Sequence, residues 1–124
     1  MNQHILLMTY HLSSLKKLIC CSEPVLYDTI NNFENHFSKS GLKNGIIQNC
    51  YAMAENTFAM TSTTKNNLKF LPIDYPTFKN ETKIKIDEKS EHYLSSSGRP
   101  LDNVKIKILD NTNNQLGENL IGLV

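Results

Sequence analysis

The hydrophobic and polar positions between residues 15 and 41 predict a strand followed by a helix. Residues 15–21 form a short run that becomes apolar toward its end, which is typical of a buried strand. The apolar residues that follow recur at spacings of four, three and four, and therefore share one face of a helix: Leu26, Ile30, Phe33 and Phe37.

Residues with capping preferences stand at both ends of this helix. Ser22 has the side chain of an N-cap, and Glu23 and Pro24 suit a first turn, where a carboxylate favours the helix dipole and proline loses no hydrogen bond. Gly41 is a stop signal. Residues 45–47 begin a second strand, and the order strand, helix, strand predicts a parallel α/β unit.

After residue 61 the pattern changes to short segments of β type. A polar connector at 62–67 comes first. Alternating or β-branched residues then mark four further segments, at 67–75, 82–88, 104–110 and 120–124. In the third of these, apolar residues alternate with lysines, which predicts a half-buried strand with one wet face. We therefore divide the chain into an α/β sheet portion, 1–61, and a β-rich portion, 62–124.

Composition narrows the classes of function. A chain of 124 residues with 40% hydrophobic residues fits one small domain. The net charge of +1 comes with scattered basic residues, which argues against a nucleic-acid binder. No apolar run approaches the roughly 20 residues that span a bilayer, so we predict no transmembrane segment. The three cysteines lack metal-ligand spacing and are read as small buried side chains in the reducing cytoplasm.

Three residues could bind a ligand, although each also has an ordinary structural explanation. Glu55 follows a predicted strand, and a lone carboxylate holds Mg²⁺ only where water and phosphates supply the other ligands. The alternative is a surface or N-cap glutamate. Tyr51 could stack on a base or pack in a core, and Asn49 could contact an adenine edge or end a strand.

Taken together, these segments resemble the AMP-binding domain of adenylate-forming enzymes. Ser22-Glu23-Pro24 stands where that superfamily has a Gly-Ala-Glu-Pro-like turn, and Tyr51-Ala52-Met53-Ala54-Glu55 stands where it has Tyr-Gly-x-Thr/Ala-Glu. Gly98-Arg99-Pro100 and a strand at 104–110 follow in the same order. The resemblance extends over 12–124 and is nearest to fatty acyl-AMP ligases and long-chain acyl-CoA synthetases.

The resemblance implies a fold, a reaction and a site. The fold would be α/β, part of the large N-terminal domain of such an enzyme: a strand-helix-strand portion of a layered sheet followed by a β-rich portion. A fatty carboxylate would attack the α-phosphate of ATP, giving acyl-adenylate for transfer to coenzyme A or an acyl carrier protein. Glu55 would be catalytic by coordinating Mg²⁺ on the ATP phosphates. The nucleotide pocket would be lined by Ser22, Glu23, Pro24, Asn49, Cys50, Tyr51 and Ala52.

The sequence also departs from the superfamily pattern. Ala52 replaces a glycine, and we expect it to crowd a backbone that approaches the nucleotide. The phosphate-binding loop, the ribose-binding aspartate and the catalytic lysine of the C-terminal domain have no counterpart in these 124 residues. Because such groups act as a unit, we expect the isolated chain to be inactive. Two alternatives stay open: a non-catalytic α/β binding module, or one piece of a split ligase with complementing fragments.

Overall fold

The computed structural model of the chain describes residues 11–124, which form mixed α/β structure as the sequence predicts. A three-residue 3₁₀ turn, Ala54–Asn56, joins the second and third strands. The helices and strands, in chain order, are β1 (Leu18–Cys20), α1 (Tyr27–Ser38), β2 (Ile47–Ala52), β3 (Ala59–Ser62), β4 (Phe70–Pro72), α2 (Tyr75–Asn80), β5 (Tyr93–Ser95) and β6 (Arg99–Pro100).

The parallel strand-helix-strand unit is confirmed. Strands β1 and β2 pair in parallel, with Leu18 opposite Ile47 and Cys20 opposite Asn49, and α1 is the connection between them. Strand β3 then runs antiparallel to β2, and β6 runs antiparallel to β3, which gives a four-stranded mixed sheet in the order β1-β2-β3-β6. Strands β4 and β5 form a separate antiparallel pair.

The start of α1 differs from the prediction. Ser22 has φ 72°, a left-handed conformation, whereas an N-cap residue needs extended backbone. The helix begins at Tyr27 with Leu26 as its N-cap, so Glu23 and Pro24 precede the helix rather than form its first turn. The predicted stop is confirmed, because α1 ends at Ser38 and Gly41 adopts φ 83°.

The second half of the chain forms fewer paired strands than its sequence pattern predicts. Strand β4 lies within 67–75, but the helix α2 that follows it was not predicted. The segments 82–88 and 120–124 form only isolated β-bridges, such as Lys83 with Leu120. The prediction of a continuous strand in each of them is therefore wrong.

The segment at 104–110 combines a wrong prediction with a correct one. Only Leu109 forms β-bridges in this segment, among residues 11–124, so the predicted strand is not part of a regular ladder. The alternation of side chains is nonetheless present. Val104, Ile106 and Ile108 are half-buried, and the intervening lysines are exposed. The side chains therefore alternate between half-buried and exposed, as in a strand, although the backbone forms no regular ladder.

The core is small and centres on β2. Ile46 and Ile47, at the start of this strand, are almost completely buried, as is Ile73 after β4. Four polar residues are buried with them: Gln48, Asn49, Thr61 and Thr63. Polar groups in a core require hydrogen-bond partners, so β2 and β3 are held by specific contacts as well as by packing. Among residues 11–124, no helix has the length and apolar character needed to cross a membrane.

Helix α2 depends on a charged cap, which makes its stability sensitive to pH. Asp74 Oδ1 accepts a hydrogen bond from the backbone N–H of Thr77 at 2.8 Å. Hydrogen bonds from the Thr77 hydroxyl and backbone hold the pKa of Asp74 below its ordinary value. A carboxylate with a lowered pKa stabilises the fold above its unfolded pKa, and this contribution is lost as pH falls through the folded pKa.

We expect Asp74→Ala to lower the free energy of unfolding at pH 7 and to matter less in acid. Urea titrations from pH 7 to pH 2 should show the difference from wild type shrinking below about pH 4, the ordinary pKa of aspartate. Asp74→Asn is the control, since asparagine caps helices without titrating. Its advantage over alanine should not change with pH. If the difference in free energy of unfolding between wild type and Asp74→Ala stayed constant down to pH 2, the role of the charged cap would be contradicted.

Candidate functional site

A cleft of about 310 Å³ lies where the turn after β1 meets β2 and the segment that follows β5. Seven of the eight residues predicted from the sequence line it: Ser22, Glu23, Pro24, Asn49, Cys50, Tyr51 and Ala52. Other clefts of 220 to 450 Å³ lie elsewhere on the described surface, so volume does not single this one out. Its lining does, because it brings together two segments that the sequence separates by about 25 residues.

Asn49 is held in place from three directions. Its backbone N–H donates to Thr63 Oγ1 at 2.9 Å, and its carbonyl accepts from the Thr63 N–H at 2.9 Å. Its side-chain Nδ2 donates to the carbonyl of Ser96 at 3.1 Å. With the donor group engaged and the residue 5% exposed, Oδ1 is the side-chain atom that remains to accept a hydrogen bond from a ligand.

Tyr51 offers an aromatic surface at the same cleft. Its side chain is 36% exposed, and its backbone N–H donates to Thr61 Oγ1 at 3.2 Å. The ladder between β2 and β3 shifts register between Tyr51 and Ala52. Such irregularities redirect a side chain from the regular pleat and are frequent beside binding sites. The ring can therefore stack on a planar group without rebuilding the core.

The remaining residues that line the cleft are uncharged, with the exception of Glu23. Burial raises the pKa of the Cys50 thiol, and the neighbouring Cys21 raises it further, so Cys50 presents an uncharged sulfur. Ala52 lies in the extended backbone of β2, a conformation that does not require glycine. Glu23 is the only Asp, Glu, Lys or Arg among the described residues that line the cleft. This charge balance suits an uncharged planar group better than a phosphate.

Glu55 lies outside the cleft. It is exposed on the 3₁₀ turn between β2 and β3, four residues beyond Tyr51. A hydrogen bond of 2.8 Å from Met53 N–H to the Phe58 carbonyl closes this connection. Residues 11–124 contain no group of three or more His, Cys, Asp or Glu placed to hold a metal ion. Glu55 therefore supplies one carboxylate, and a Mg²⁺ bound there would need water and phosphate oxygens as its other ligands.

Two serines of the cleft and the two threonines that hold it are not among the residues predicted from the sequence. Ser95 and Ser97 line the cleft, and Thr61 Oγ1 donates to the Ser97 carbonyl at 2.6 Å. The polar segment after residue 61 was read as a connector, although Thr63 is buried within it. The available signal was the spacing of Thr61 and Thr63, which puts both on one face of an extended segment.

Comparison with known proteins identifies the family and the fold. The sequence matches the AMP-binding enzyme family over residues 2–124, and the chain belongs to that family. A search of curated proteins found no significant match.

Solved structures of adenylate-forming proteins share the fold. A fatty acid AMP ligase from Legionella pneumophila matches 90% of this chain with 25% identity and a TM-score of 0.79. A fatty acyl-adenylate ligase from L. pneumophila, in complex with acyl adenylate and pyrophosphate, matches 80% with 28% identity and a TM-score of 0.70. McyG A-PCP complexed with phenylalanyl-adenylate matches 91% with 30% identity and a TM-score of 0.66. The chain spans 20%, 18% and 15% of these proteins, respectively.

Gly98 lets the serine segment approach the sheet closely. It adopts φ 86°, and a Cβ at this position would overlap the Ser62 carbonyl group and the Thr63 nitrogen. The backbone after β5 therefore comes against β3 only because residue 98 has no side chain.

We expect Gly98→Ala to lower the free energy of unfolding by at least about 1 kcal/mol, because the left-handed conformation and the overlap both disfavour a Cβ. Urea denaturation followed by circular dichroism measures this change. Gly117→Ala is the matched control, since a Cβ there meets nothing within 4 Å, and its effect should stay within about 0.5 kcal/mol. Equal effects of the two substitutions would show that the close approach at Gly98 is unimportant.

Proposed function

We propose that this chain forms the adenine-binding part of a ligase that activates a fatty acid with ATP. In the complete protein, a carboxylate oxygen attacks the α-phosphorus of ATP, the bond to the β-phosphate oxygen breaks, and pyrophosphate leaves. The product is an acyl-adenylate, whose acyl group passes to coenzyme A or an acyl carrier protein. The observation that carries the proposal is the meeting of Ser22–Pro24 and Asn49–Ala52 in one cleft.

Adenine recognition is assigned to two side chains. Asn49 Oδ1 accepts a hydrogen bond from the exocyclic amine of adenine, which is the donor that distinguishes this base. Tyr51 stacks on the ring and removes its apolar faces from water. The hydrogen bonds that fix Asn49 and the β2 backbone support this assignment, because a site whose side chains are already positioned loses less entropy on binding.

Phosphate binding is assigned to a different place. The lysines and arginines needed to neutralise a triphosphate do not line the described cleft, and Glu23 would repel phosphates from it. We therefore assign the phosphates to the side of Glu55, whose carboxylate would help to hold Mg²⁺. A bound Mg²⁺ would neutralise charge on the phosphates during the attack.

The choice of a fatty acid rests on the relatives. Two of the similar structures are named as fatty acid or fatty acyl ligases, and one of these holds acyl adenylate with pyrophosphate, the two products of the proposed step. A phenylalanyl-adenylate in the third shows that the fold accommodates other acids. A cytoplasmic location fits three free cysteines in the described residues. We also propose that the chain is divided at residue 61 into an α/β sheet portion and a β-rich portion.

Binding of AMP to the purified chain tests the adenine site directly. We expect Tyr51→Ala to weaken AMP binding to the purified chain about 5- to 150-fold, corresponding to about 1–3 kcal/mol of stacking. Isothermal titration calorimetry gives the dissociation constants. Tyr75→Ala is the matched control, because Tyr75 is also exposed, at 42%, and lies outside the cleft. A folded wild-type chain that binds no AMP would overturn the adenine site and favour a non-catalytic module.

The role of Glu55 is tested separately from that of the base. We expect Glu55→Gln to weaken binding of Mg²⁺–ATP at least about fivefold, since unit charges 4 Å apart interact by about 1 kcal/mol in water. Binding of AMP without Mg²⁺ should be unchanged, because Glu55 does not line the cleft. Glu81→Gln, another exposed carboxylate, serves as the control. Equal losses for AMP and Mg²⁺–ATP would contradict a metal-linked role.

A further inference from the structure

Two cysteines face each other across the β1–β2 pair. Cys20 is opposite Asn49 in the parallel register, so the next residues, Cys21 and Cys50, come opposite each other one step beyond the ladder. Neighbouring strands lie about 4.8 Å apart. This separation is within the Cα–Cα range of about 4.4–6.8 Å in which a disulfide can form.

The two side chains are also close enough to influence each other electrostatically. Burial raises the pKa of the Cys50 thiol, and the nearby Cys21 side chain raises it further. Ser22 Oγ donates a hydrogen bond to Cys21 Sγ at 3.7 Å. Cys21 is half-buried and Cys50 is buried, so a reagent from solvent reaches Cys21 first.

We propose that Cys21 and Cys50 form a redox-sensitive pair that a peroxide converts into a disulfide. The Cys21 thiolate attacks one oxygen of the peroxide, the O–O bond breaks, and Cys21 becomes a sulfenic acid. The Cys50 sulfur then attacks the sulfenic sulfur, its proton passes to the departing hydroxide, and water leaves. With hydrogen peroxide, two thiols lose two electrons and two water molecules form in total.

Cys20 does not belong to this pair. Consecutive residues of an extended segment point to opposite faces, so Cys20 and Cys21 diverge. Their Cα atoms are also only about 3.8 Å apart, below the range that an unstrained disulfide needs. The fold therefore selects one pairing out of the three that these cysteines allow.

The disulfide would join the two walls of the cleft. Cys21 directly precedes the Ser22–Pro24 turn, and Cys50 directly precedes Tyr51. The cross-link closes a loop that contains the whole of α1, which restricts the unfolded chain and stabilises the native one. This inference stands apart from the proposed function, because the bond forms whether or not the cleft binds a nucleotide.

The test uses the reduced full chain treated with hydrogen peroxide. We expect the number of titratable thiols to fall from three to one and the mass to drop by two hydrogens. Peptide mapping without reductant should find Cys21 joined to Cys50. The midpoint of thermal unfolding should rise on oxidation and return with a reducing agent.

Variants and a denaturing control decide between the pairings. Cys20→Ser should still form the cross-link, whereas Cys50→Ser should leave a Cys21 sulfenic acid that dimedone captures. Oxidation in 8 M urea should give mixed pairings if the fold selects the partner. A bond through Cys20, bonds only between molecules, or three thiols remaining after peroxide would each overturn the proposal. All three outcomes are read on the wild-type chain, so they do not depend on a variant that folds.

Discussion

Two buried threonine hydroxyls hold together the part of the molecule on which the rest depends. Thr63 Oγ1 accepts from Asn49 N–H, and Thr61 Oγ1 accepts from Tyr51 N–H while donating to the Ser97 carbonyl. A buried polar group that loses its partner costs about 1–3 kcal/mol, so these bonds fix the geometry strongly. Because they join β2 and the segment after β5 through β3, they fix two of the three segments that line the cleft.

The sequence was sufficient to predict structure wherever a local pattern and the tertiary contacts agreed. The helical spacing from Leu26 to Phe37 and the apolar strands on either side predicted the parallel unit around α1, which the structure confirms. The motif at residues 51–55 identified a strand end and the turn that follows it. The common cleft followed from the resemblance to a family, since no local periodicity brings residues 22–24 to residues 49–52.

The wrong predictions share a physical cause, namely contacts that the local pattern does not encode. Ser22 has an N-cap side chain, yet it takes a left-handed turn beside the cleft. Helix α2 has only six residues, too few for a visible period, and it relies on the Asp74 cap. At 104–110 the alternation correctly predicted which side chains are half-buried, but alternation alone cannot supply the neighbouring strand that a ladder needs.

The charges of the cleft limit what the described residues can do alone. Its lining offers an amide, an aromatic ring, small side chains and one carboxylate, which suit a neutral planar group better than a charged one. A triphosphate carries several negative charges that these groups cannot neutralise, and a carboxylate such as that of Glu55 attracts phosphates only through a cation. The three similar proteins described above are about five to seven times longer than the part matched here. Under the proposed function, base recognition and phosphate chemistry would therefore be divided, with the base held at β2 and most phosphate contacts supplied by residues beyond this cleft.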